Sequence, residues 1–136
     1  LAGKAVVTQS GSSALTALTD AGENGSNDEN LALAKSFKSL EEVPDYNSAF
    51  MNLESGVVDA IAVDIGVAKY QLDSRKGAFT MLEKPLSTEQ YGIGFKLGNE
   101  ELRDQVQATL FEMLDDGTFK KIATTWELQD MVCLSK

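Results

Sequence analysis

Gln9, Ser12 and Ser13 follow an apolar run in the stretch VVTQSGSS, and Asp64 follows another in DAIAVD. Serine hydroxyls and the unpaired amides of a helix N-terminus donate hydrogen bonds, and the helix dipole adds about 0.3–1 kcal/mol for an exposed anion. An ionised aspartate only accepts, and a charge-assisted bond from an ammonium contributes roughly 1.5–3 kcal/mol. Donors for an anion on one side and a carboxylate on the other would suit a zwitterion, and a free amino acid is the obvious one. A plainer reading stands beside this: a serine caps the helix after Gly11, and Asp64 caps the helix that follows it. Tyr91 is likewise a packing residue by pattern alone. The pairs Glu41-Glu42 and Asp115-Asp116 read as solvated turn carboxylates.

Those residues need a scaffold, and the alternation of apolar runs with helical stripes supplies one. Lys4–Gln9 reads as a short buried strand, and a helix follows from about Ser12 to Asp20 with Leu15 and Leu18 on its apolar side. Residues 21–30 read as a surface loop and residues 34–40 as a weak second strand. Asp45 is an N-cap for a helix whose apolar residues are Tyr46, Ala49, Phe50 and Leu53, and Gly56 suits its C-terminal turn. Residues 57–64 end in the continuous apolar look of a central parallel strand. A helix from about Ile65 to Leu72 follows. Strands are expected at 79–82 and 91–95, with a helix capped by Asn99, a break at Asp116-Gly117 and a last helix striped by Phe119, Ile122, Ala123 and Trp126. Strands alternating with helices imply an α/β sheet with right-handed crossovers, whose ligands bind outside the carboxyl ends of the strands.

Composition narrows the chemistry. The 136 residues carry a net charge of −9, with Arg75 and Arg103 the only arginines, so there is no basic face for nucleic acid. No histidine is present and Cys133 is the single cysteine, which removes Cys/His zinc sites and Ser-His or Cys-His nucleophiles. No apolar run approaches the ~20 residues of a membrane span. The glycines of GENGSN match neither dinucleotide nor phosphate-loop spacing, and no cofactor is expected.

Three stretches taken together resemble a known family: LAGKAVVTQSGSS, YNSAFMNLESGVVDAIAVD, and YGIGFKLGNEELRDQVQATLFEMLDDGTFKKIATTW. Their order and spacing are similar to those of the extracytoplasmic amino-acid-binding proteins of ABC importers, the family 3 solute-binding proteins. That resemblance implies the periplasmic-binding-protein type 2 fold, with a ligand held between two α/β lobes. The match is mainly to lobe two, a three-layer lobe with a mostly parallel (mixed) sheet flanked by helices. On that resemblance the first lobe would lie outside this sequence, and with it an aromatic lid and a carboxylate-gripping arginine. Residues 1–95 would form lobe two, and 96–136 the C-terminal helices that return to lobe one in the family.

Carried over residue by residue, Gln9 would line the pocket. Ser12 and Ser13 would stand in the turn that binds the α-carboxylate, Asp64 would receive the α-amino group, and Tyr91 would stand at the pocket edge. The sequence departs from the family by Ser at both Thr positions of that turn, and by Trp126-Glu127-Leu128 in place of its usual ending. The implied function is non-catalytic: binding a polar amino acid, outside the cytoplasm, for delivery to a membrane permease. Pairing of two chains would be one way to complete a cleft. A dehydratase-type enzyme on the same fold, which would need Asp64 as its acid or base, and the ligand-binding domain of a membrane sensor are the alternatives.

Overall fold

The computed structural model describes residues 1–135 and divides into two units, Leu1–Thr88 and a second beginning at Glu89. The first is built on three parallel strands: β1 (Ala5–Gln9), β2 (Ser39–Val43) and β3 (Ala60–Ile61), in the order β2-β1-β3. β1 is therefore central. It pairs Ala5 with Ser39 through Gln9 with Val43 on one side, and Val6 with Ala60 and Val7 with Ile61 on the other. Residues 5 to 8 are all buried, as expected of a strand covered on both faces.

Two crossovers cover those faces. From β1 to β2 the chain passes through α1 (Ser13–Thr19) and α2 (Asp28–Lys35); from β2 to β3 it passes through α3 (Tyr46–Glu54). The two connections run in opposite directions across β1, so a common right hand puts them on opposite faces. Ala5 and Val7 face the α3 side, where they pack with Ala49 and Val58, flanked by Val43, Tyr46, Leu53 and Ile61. Val6 and Thr8 point the other way, because side chains alternate along a strand. On that side α1 lies against β1 and buries Ala17 and Leu18. α4 (Ile65–Ser74) follows β3.

Each helix that follows a strand starts with a side-chain cap. Ser12 Oγ accepts the Leu15 amide, Asp45 Oδ1 that of Ser48, and Asp64 Oδ1 that of Val67. At the other edge Asp59 ties down the start of β1. Its carboxylate accepts the Ala5 amide at 2.9 Å and pairs with Lys4 at 3.2 Å, while its own amide donates to Ala5 O.

Several expectations need correction. Residues 28–35, read as the end of a loop and the start of a strand, form α2, with Asp28 and Glu29 in its first turn and Lys35 in its last, the charges that its dipole favours. The second strand accordingly begins only at Ser39. The strand before Asp64 is not central: it is short and lies at the sheet edge. The strands expected at 79–82 and 91–95 do not form, so the described sheet is wholly parallel rather than mixed. A strand requires a neighbouring strand for its amides and carbonyls, and among the described residues the sheet holds only β2, β1 and β3. Phe79 instead meets Phe50 in a tilted ring pair, centroids 5.4 Å apart and planes at 56°, with the Arg75 guanidinium about equally close to both rings.

The second unit holds α5 (Glu100–Asp115) and α6 (Thr118–Thr125), which pack on each other. Gly117 joins them at φ +81°, a conformation that side chains disfavour, and Asp116 accepts the Thr118 amide at 2.8 Å. Neither helix buries a residue fully.

Candidate functional site at the carboxyl edge of the sheet

Because β1 and β3 are parallel neighbours, their carboxyl ends leave the sheet at the same edge. Continuing the register of Val7 with Ile61 sets Ser10 level with Asp64, across strands about 4.8 Å apart. The turn of residues 9–13 and the turn that begins α4 are thus side by side. Gln9, Ser12, Ser13 and Asp64 share this edge; Tyr91 belongs to the second unit, where it is 74% exposed and its hydroxyl donates to Glu89 at 3.0 Å.

The first turn is fixed by backbone and by one hydroxyl. Ser10 N–H donates to Val43 O and Ser12 N–H to Gln9 O, while Gly11 takes φ +70°. Ser12 Oγ accepts the Leu15 amide at 3.1 Å. It also lies 3.2 Å from Thr8 Oγ1, whose own proton goes to Ala62 O at 2.8 Å. A hydroxyl has one proton, so Ser12 must be the donor to Thr8. The Ser12 proton is therefore used inside the protein. Ser13 is exposed, and its amide and that of Ala14 lie in the first turn of α1, where intrahelical acceptors are lacking. These are the donors free to meet an anion.

Asp64 is half-buried and caps α4 through one oxygen, at 3.0 Å from the Val67 amide. Its second oxygen accepts no bond from the described residues. The edge therefore presents donors on the β1 side and a carboxylate on the β3 side. Among the described residues no cluster of three or more His, Cys, Asp or Glu could hold a metal ion, and no helix is long and apolar enough to cross a membrane. Sequence reasoning passed over Thr8, which it treated as part of the strand. The available signal was a hydroxyl inside an apolar run, one residue before the polar turn.

No protein-family profile matches the chain. Curated proteins do. It is 33% identical over 92 residues to an ABC transporter glutamine-binding protein of Bacillus subtilis, a match covering 68% of this chain and 33% of that protein. It is also 33% identical over 90 residues to a glutamate-binding protein of Corynebacterium glutamicum, covering 62% of this chain and 30% of that one. Among solved structures, an ancestral arginine-binding protein bound to arginine superposes with a TM-score of 0.69 at 30% identity, and one bound to glutamine with 0.67 at 28%. Each covers 93% of this chain and 51% of the other. The chain thus spans about a third of the length of these curated relatives and about half of these structures. All are binding proteins rather than enzymes. The chain is homologous to the amino-acid-binding proteins of the family 3 solute-binding proteins and has the periplasmic-binding-protein type 2 fold over the part it shares with them.

Proposed function

We propose that this chain is a ligand-binding lobe for a polar amino acid, serving an ABC importer outside the cytoplasm. The observation that carries the reading is the shared carboxyl edge, where free donors at Ser13 and Ala14 stand beside the half-buried Asp64. The α-carboxylate would be received by the Ser13 hydroxyl and the first amides of α1. Ser12 would act by holding that turn in shape, and the α-ammonium would be received by Asp64. Gln9, half-buried at the end of β1, would touch the ligand side chain. That the relatives are glutamine-, glutamate- and arginine-binding proteins supports a polar side chain. A membrane permease would be the partner that recognises the loaded protein.

A thermal-shift screen against the twenty amino acids tests the reading. A ligand that binds only the folded chain adds about 2.7 kcal/mol at a hundredfold excess over Kd. The reading expects such a shift for at least one of glutamine, glutamate and arginine. No shift with any amino acid would contradict it.

A further inference from the structure

We propose that Thr8 is a positioning residue that locks together the two halves of the amino-acid site, an inference that rests on the binding site proposed above. Thr8 is 0% exposed, yet the strand it sits in is otherwise made of residues such as Val6 and Val7 that fill the same space without a hydroxyl. Burying a hydroxyl is costly unless it is bonded, and here both of its capacities are used. It donates to Ala62 O at 2.8 Å, and Ser12 donates to it at 3.2 Å. Ala62 also donates its amide to Val7 O at 3.0 Å, so the Thr8 bond extends the β1–β3 contact beyond the last ladder pair.

The result is a relay: the Leu15 amide to Ser12 Oγ, Ser12 to Thr8, and Thr8 to the Ala62 carbonyl two residues before Asp64. One end sets the turn whose amides would meet a carboxylate. The other sets where Asp64 leaves the sheet. A ligand that must touch both halves at once is sensitive to their separation, and displacement of reacting or binding groups by about 1 Å is enough to lose much of the benefit of a preformed site. Thr8 touches no ligand in this arrangement; it acts through Ser12 and Ala62.

The test uses this chain with Thr8→Val, which keeps the shape and removes the hydroxyl, and Thr8→Ser, which keeps the hydroxyl. Amide hydrogen exchange at Leu15 and Val67 reports the two turns with no ligand present. Thr8→Val should speed exchange at both by fivefold or more, the loss expected when a buried bond is removed and a carbonyl is left unpaired, and Thr8→Ser should restore it. Titration with L-glutamine, L-glutamate and L-arginine, followed by amide chemical shifts, should show affinity falling about tenfold in Thr8→Val. That loss should not multiply with the loss from Asp64→Asn, because both substitutions disable the same half-site.

Unchanged exchange at both amides would overturn the proposal. So would a Thr8→Ser chain as impaired as Thr8→Val, or losses that simply multiply. If Thr8→Val does not fold, the unmutated chain decides: the Thr8 hydroxyl proton should exchange slowly enough to be observed, and its absence would overturn the relay. A chain that binds none of the three amino acids would sink the binding reading alone, while the exchange measurements still decide the coupling.

Discussion

Asp64 Oδ1 accepts the Val67 amide at 3.0 Å, so one carboxylate oxygen caps α4 while the other faces no partner among the described residues. The two oxygens have separable jobs, and one substitution separates them. Asparagine caps a helix as well as aspartate does but carries no charge. Asp64→Asn should therefore change folding stability by no more than about 0.5 kcal/mol. Amino-acid affinity should fall about 10- to 100-fold, the cost of losing a charge-assisted bond. Chemical denaturation and ligand titration on the same preparation check both halves.

Ser12 and Ser13, adjacent in sequence, should behave oppositely. Ser12→Ala removes the cap of α1 and should cost about 0.5–2 kcal/mol of stability. Ser13→Ala removes an exposed hydroxyl outside any internal bond and should leave stability within about 0.5 kcal/mol while weakening ligand binding. Urea midpoints for the two variants, set beside their titrations, distinguish a capping residue from a gripping one.

Acid sensitivity should trace in part to Asp59. The Ala5 amide first, and then the Lys4 side chain, hold its carboxyl below the ordinary value of 3.8. A group whose pKa is lowered by folding lends stability that is fully present above 3.8 and is lost as pH falls through its native value. Asp45 behaves in the same sense, its pKa lowered by the Ser48 amide and then the Ser48 hydroxyl. Asp59→Asn should lower stability at neutral pH and flatten the decline of stability below pH 3.8, as read by urea unfolding at a series of pH values. An unchanged decline would assign the acid response to other groups.

Arg75 gathers three partners: the Phe50 and Phe79 rings, with its guanidinium carbon 6.0 and 5.8 Å from their centroids, and Glu54 at 3.3 Å. Cation–π contacts are worth about 0.5–1 kcal/mol each at partly exposed sites, and exposed ion pairs less. Arg75→Ala should therefore cost about 1–2 kcal/mol of stability and leave ligand affinity unchanged, since Arg75 lies on α3's side and not in either turn of the site. A loss of affinity beyond the loss of stability would place it in the site instead.

The parts legible in the sequence are those set by neighbours along the chain. Asp45, Asp64 and one of the serines after Gly11 read as caps because each precedes an apolar helical stripe, and Asp45, Asp64 and Ser12 do cap. Gly117 breaks α5 from α6 where its positive φ requires it. The misread parts depend on partners elsewhere. Residues 91–95 alternate as a strand should, but among the described residues no strand pairs with them, and Ile93 is 61% exposed. Residues 34–40 alternate weakly, yet Ala34 and Lys35 close α2, whose end charges favour the helix, and the strand begins only at Ser39. Thr8 was invisible as a joint because its role depends on Ala62, far along the chain.

The central claim is that the carboxyl edge receives an amino acid through the turn after β1 and the cap of α4. An edge open on one side should bind weakly, with Kd on the order of 1 mM, or about −4 kcal/mol. The most direct measurement is an amide chemical-shift titration of this chain with L-glutamine, L-glutamate and L-arginine. Saturable shifts confined to residues 9–14 and 64–67, absent in Asp64→Asn, are the predicted result. Shifts centred elsewhere, or none at tens of millimolar of all three, about tenfold over that Kd, would contradict it.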